Sequence, residues 1–126
     1  FGIQNQLYRK QGWRYVPDDF AHEQSLIVET EKGLVIFSSC SHAGADNIIN
    51  EVSRACPGKQ ICAMIGGFHL YHTPEEGVRA LAERIRATGI RKIYTGHCTG
   101  AAAYEILKEE LGDQAGQLYT GMEIWI

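Results

Sequence analysis

Only three prolines interrupt the chain, and its four cysteines include no Cys-x-x-Cys pair. That absence argues against a zinc ribbon and against a thioredoxin-like redox site. No apolar run approaches the roughly 20 residues that span a bilayer, and no signal-peptide pattern opens the sequence. Excess charge is also scarce. The formal net charge is -3 over 126 residues and the pI is near 5.9, which disfavours a general nucleic-acid or membrane-surface binder. Internal repeats and low-complexity tracts are missing too. What is left is ordinary folded material, 44% hydrophobic and 21% charged, in a length that suits one domain. The first residue is Phe1, not Met, so translation is expected to have begun upstream of it.

The cysteines are Cys40, Cys56, Cys62 and Cys98. A chain of this length builds a core without disulfides, so reduced thiols in a cytoplasmic protein are expected. Cys62 lies in the apolar run 61–65 and reads as a small buried hydrophobe.

Residues 1–23 lack a clear period, with a short strand expected near Trp13–Val16. The runs Ser25–Thr30 and Leu34–Phe37, joined by Glu31-Lys32-Gly33, predict a β-hairpin. Ile48, Ile49, Val52 and Ala55 mark one helical face, which Pro57-Gly58 ends. Ile61–Ile65 is a strand-length apolar run. Thr73-Pro74-Glu75-Glu76 predicts a helix start with Thr73 as the cap. Val78, Leu81, Ala82 and Ile85 form that helix's buried face, and Gly89 closes it. Ile90–Thr95 predicts a strand. Thr99 is expected to cap a helix with Ala103, Ile106, Leu107 and Leu111 on its apolar side. Leu118–Ile126 predicts a terminal strand or a hairpin around Thr120-Gly121. Strands alternating with helices mean a layered α/β fold with three βα units.

Three of the five histidines fall in matched places. His42, His69 and His97 each follow a predicted strand and precede a predicted helix. Loops at the carboxyl ends of such strands form the ligand crevice of α/β sheets. Each loop also carries small residues: Ser41-His42-Ala43-Gly44, Gly66-Gly67-Phe68-His69 and Gly96-His97-Cys98-Thr99-Gly100. Imidazole ligates zinc and suits iron and other borderline ions. A lone loop histidine is more often a hydrogen-bonding residue, and it is the threefold match that favours a metal. Cys40 and Cys98 flank the set as additional ligands or as packed thiols. His22 and His72 read as solvated. Arg84, Arg86, Arg91 and Lys92 form a basic cluster, either a solvated helix end or a contact for a phosphate-bearing substrate.

Five runs together resemble a known family. They are Glu23-Gln24-Ser25-Leu26-Ile27-Val28-Glu29-Thr30, Lys32-Gly33-Leu34-Val35-Ile36, Cys40-Ser41-His42-x-Gly44, Ile65-Gly66-Gly67-Phe68-His69-Leu70 and Gly96-His97-Cys98-Thr99-Gly100. In order and spacing, from about residue 18 to the end, they resemble the C-terminal half of metallo-β-lactamase-fold metal-dependent hydrolases. The branch they resemble is the one named for dihydropterin-methyl ribofuranosylaminobenzene phosphate synthase, an enzyme of methanopterin biosynthesis. The resemblance implies half of an αββα sandwich with a mixed sheet and a one- or two-metal site at its edge. The metal implied is divalent: zinc first, with manganese or iron as alternatives. By the same resemblance His42 and His97 are metal ligands. His69 stands near a bridging aspartate of many members, so it is either a ligand or a catalytic contact to substrate.

One departure matters. The family's main metal motif, His-x-His-x-Asp-His, does not occur in this sequence. The expectation is therefore a fragment, or a chain whose N-terminal half is supplied separately. Alone, it should bind metal weakly and lack hydrolase activity. Three functions follow as expectations: one part of a hydrolase using metal-activated water on an ester or phosphoester, a transferase acting on a pterin, or an inactive half-domain that works by association. A small-molecule substrate is expected, with neither nucleic acid nor membrane as partner. The runs 34–37 and 61–65 are apolar on both faces, so a partner chain or a homodimer is expected to cover the face the helices leave.

Overall fold

The computed structural model describes residues 7–126. Strands β1 (Tyr8–Gln11) and β2 (Arg14–Pro17) pair antiparallel as a separate hairpin. Only β2 was expected, because β1 is exposed along its whole length and leaves no apolar alternation to read. The main sheet has five strands in the order β3 (Ser25–Thr30), β4 (Gly33–Cys40), β5 (Ile61–Gly67), β6 (Lys92–Thr95) and β7 (Ala115–Gln117). β3 runs antiparallel to β4, as the hairpin reading predicts, and the remaining pairs are parallel. Three helices connect the parallel strands: α1 (Ala45–Ala55), α2 (Glu75–Ala87) and α3 (Ala101–Leu111). The mixed sheet with three βα units is the expected α/β class.

The strand order advances one neighbour at a time without reversing. Crossovers of a single hand then put every helix on the same face. Leu34, Ile36, Met64 and Ile93 from the strands meet Ile49, Val78, Leu81, Ile85 and Leu107 from the helices in one core. Burying each such side chain contributes about 1.5–3 kcal/mol before entropy is counted. Arg84 Nε reaches the buried carboxylate of Asp46 at 2.7 Å and ties α2 to α1. Arg79 joins Glu75, Glu109 and Glu110 between α2 and α3.

The other face is different. Cross-strand register places Leu26 opposite Phe37 and Val28 opposite Val35, and Phe37 beside Ile65. Leu26 is 64% exposed and Phe37 40%. Leu118–Ile126 lies against part of this face, where Leu118, Met122, Ile124 and Ile126 line a groove with Val28, Val35, Phe37 and Ile65. That segment was expected to be a strand or a hairpin around Thr120-Gly121. It turns at Thr120-Gly121, where Gly121 has φ 82°; Leu118 N–H still donates to the Thr95 carbonyl of β6 at 3.0 Å, but beyond β7 the segment forms no strand with the described residues.

Two caps also differ from expectation. α2 starts at Glu75 with Pro74 at the cap and no side-chain hydrogen bond, so Thr73 lies one position too early. The acidic first turn, Glu75 and Glu76, complements the helix dipole instead. α3 is capped by Gly100, while Thr99 is buried in the preceding 3-10 turn, His97–Thr99. Among the described residues no helix is long and apolar enough to cross a membrane.

Candidate metal centre

The three βα loops emerge together at the carboxyl edge of β4, β5 and β6. The antiparallel hairpin brings the residues before β3 to the same edge, since Ser25 pairs with Ser38. Glu23 is thereby delivered to the β4–α1 loop. Its Oε1 accepts from His42 N–H at 2.6 Å and its Oε2 from Ala43 N–H at 2.9 Å. The Phe20 ring stacks on the His42 ring with centroids 4.2 Å apart and planes 17° apart. Neither Phe20 nor Glu23 was singled out from sequence, because each acts about 20 residues away along the chain.

His42 and His69 face one another, ring centroids 4.2 Å apart. Tyr71 packs edge-on against His69 at 5.1 Å. His42 Nδ1 is buried and makes no hydrogen bond among the described residues, an arrangement that costs stability unless something fills the position. Burial holds the His69 imidazole below its ordinary pKa, helped by the charges of His42 and His72 and opposed by Glu23. A neutral ring keeps a lone pair for ligation.

The β5–α2 and β6–α3 loops lock onto each other. Thr99 Oγ1 accepts from Phe68 N–H at 2.9 Å and lies 2.6 Å from Thr95 Oγ1. Leu70 N–H donates to the Cys98 carbonyl at 3.0 Å. Gly67 lacks a side chain where Cys98 Sγ sits. That sulfur is 3.3 Å from Cys40 Sγ. Burial pushes the Cys98 thiol up to about 11, and its hydrogen bond with Cys40 adds to the shift. His69 and His97 both hold left-handed backbone, at φ 50° and 54°. Non-glycine residues pay about 1–2 kcal/mol there, and such strain gathers at functional sites.

Among the described residues two ligand groups result, each with donor atoms within 4.8 Å of one another. Cys40, His42 and His69 form one; Cys40, His97 and Cys98 form the other. Cys40 is common to both. His42 and His97, the pair singled out as metal ligands, fall in different groups linked through that cysteine. His22, 3.8 Å from Asp18, and His72 are exposed and lie outside both groups. In the basic cluster, Arg84 and Arg86 pair with Asp46 and Glu83, and Lys92 bonds the Asp113 carbonyl.

No family model matches the chain. A solved crystal structure described as a metal-dependent hydrolase of the β-lactamase superfamily superposes with a TM-score of 0.86 at 28% identity, over 94% of this chain. The chain has a β-lactamase-superfamily fold. It represents 46% of that solved chain. A curated relative is 35% identical over 115 residues. It is the 7,8-dihydropterin-6-methyl-4-(beta-D-ribofuranosyl)-aminobenzene-5'-phosphate synthase of Methanocaldococcus jannaschii. The match takes in 91% of this chain and 39% of the relative. The β-lactamase-superfamily fold seen here thus spans less than half the length of either protein.

Glu23→Gln tests how the first loop is held. Glutamine keeps one acceptor oxygen and turns an NH2 toward the second backbone N–H. The expected result is a divalent-metal affinity lowered about 10- to 100-fold, as for other outer partners of metal ligands. Isothermal titration with zinc reads this, and unchanged affinity would remove Glu23 from the site.

Proposed function

We propose that this chain supplies the second part of the active site of a metal-dependent hydrolase acting on an ester, a phosphoester or a related bond of a small molecule. The supporting observation is the unsatisfied, buried His42 Nδ1 within a Cys/His cluster at the loop edge of the sheet. The donor set fits a divalent ion: imidazoles and thiols suit zinc, and the imidazoles also suit iron. When bound, one or two such ions supply Lewis-acid polarisation of oxygen and lower the pKa of water.

In this reading His42 and His97 hold metal, with Cys40 and Cys98 as additional ligands. His69 faces substrate as a neutral imidazole, able to donate or accept a hydrogen bond at one nitrogen. Glu23 and Phe20 fix the His42 ring, and Thr99 fixes the loop that carries His69. The chain contains no His-x-His-x-Asp-His, so the N-terminal half of the fold is its proposed partner, joined or separate. Four free thiols fit a reducing, cytoplasmic setting.

A second reading draws support from the 35% identity to the pterin synthase: transfer chemistry on a pterin and a ribosyl phosphate. Assaying the chain together with a first half that bears His-x-His-x-Asp-His separates the two. Turnover of simple phosphodiesters supports the hydrolase, and turnover only with a pterin substrate supports the transferase. Turnover of neither rejects both and leaves the inactive half-domain, which acts by association.

The open sheet face supports an association that holds under any of these readings. Sedimentation of the chain alone is expected to give a homodimer or larger species. Phe37→Lys, on an already exposed position, is expected to shift the distribution toward monomer. A monomer with the unsubstituted chain would count against pairing through this face.

A further inference from the structure

We propose that Cys40, His97 and Cys98 form a soft-metal site belonging to this chain alone, two thiolates and one imidazole that take zinc without a ligand from any other segment. The proposal deepens the metal-dependent reading, with which it shares His97, Cys40 and Cys98, and separates these three from His42 as a site of their own. The two sulfurs lie 3.3 Å apart. Around a tetrahedral ion with metal–sulfur bonds of about 2.3 Å, two thiolate sulfurs sit about 3.8 Å apart. The pair therefore needs to open by only about half an ångström. The His97 donor atom already lies within 4.8 Å of both sulfurs.

The surrounding structure holds this spacing. Cys40 ends β4, and Cys98 sits in the 3-10 turn pinned by the Leu70–Cys98 and Phe68–Thr99 hydrogen bonds. Gly67 clears the space that Cys98 Sγ occupies. Thiolate donors select soft and borderline ions, whereas the group of Cys40, His42 and His69 offers two imidazoles and one sulfur. His97 is exposed, which leaves a coordination position toward solvent. Because Cys40 belongs to both groups, a metal here takes away or bridges the only sulfur of the other.

The test titrates the reduced, metal-free chain with cobalt(II) and with cadmium(II) under anaerobic conditions. One ion per chain is expected, with thiolate-to-metal charge-transfer absorption in the near ultraviolet. Cys40→Ser and Cys98→Ser should each weaken cadmium binding more than about 100-fold, beyond the effect of losing an outer partner. Cys56→Ser should leave it unchanged, and His42→Ala should keep the charge-transfer band. In the unsubstituted chain, bound cadmium should slow the reaction of two thiols with a disulfide reagent, a readout that needs no variant to fold. Cobalt bound without the band, a band that survives Cys98→Ser, or no bound ion would each overturn the proposal. Imidazole-only binding lost in His42→Ala would overturn it while leaving the hydrolase reading intact. Thiolate binding in a complete protein without hydrolase activity would do the reverse.

Discussion

Gly66→Ala is expected to destabilise the chain by about 3 kcal/mol or more, the upper range for forcing atoms into a packed interior. Gly66 pairs with Ser38 where β5 runs beside β4, next to a register shift between Ser38 and Cys40. A Cβ there would land on the Ser38 carbonyl oxygen, with the carbonyl carbon at 2.9 Å. Both obstacles are backbone, so no side chain can swing aside. The only relief is to part β4 from β5 at the edge that carries Cys40, His42 and His69. Typical domains have about 5–15 kcal/mol of stability in all, so the loss is a large share. A fall in the urea midpoint, together with lost zinc binding, is the expected result. Gly58 is the control: open space surrounds it, and its φ of 79° makes the cost of alanine purely a backbone one, about 1–2 kcal/mol. Equal midpoints for the two variants would contradict the steric argument.

His97→Gly should move stability and metal binding in opposite directions. His97 holds φ 54° with an exposed side chain. Glycine adopts that backbone freely, so removing the imidazole relieves strain while forfeiting little packing. A gain of up to about 1 kcal/mol is expected, the strain relief being partly offset by the greater entropy glycine loses on folding. Metal affinity should fall more than about 100-fold, since a ligand and not merely its support is lost. Thermal melting of the metal-free chain and zinc titration read the two halves separately. A destabilised variant would mean that His97 packs for the fold's sake. A stabilised variant with full affinity would take it out of the metal centre. Stability given up at such positions is a common mark of function.

The parts of the fold that bury one face were readable in the sequence. Val78, Leu81, Ala82 and Ile85 are the buried residues of α2, as their spacing predicts. Ser25–Thr30 is a strand with the predicted bounds. β1 and β7 were not readable, for different reasons. β1 pairs with β2, is exposed along its whole length and leaves no apolar trace. β7 is the short segment Ala-Gly-Gln, whereas the more apolar residues after it lie against the sheet face. At the site, the repeated position of His42, His69 and His97 after strands was enough to bring them to one edge. The sharing of Cys40 between two donor groups, the role of Glu23 and the use of the Thr99 hydroxyl depend on contacts between distant segments. No spacing along the chain encodes those.

Among the described residues the sheet carries helices on one side only, so a body bound to the other side would make stability a shared quantity. Any body that covers Leu26, Val28 and Phe37 binds the folded chain and not the unfolded one. By mass action it then raises the unfolding free energy with the logarithm of its own concentration, about 2.7 kcal/mol at a hundredfold excess over the dissociation constant. The melting temperature of this chain is accordingly a titration readout. It should climb with each added protein that covers this face and stay flat with one that does not bind, so candidate partners can be ranked by melting alone before any activity is known.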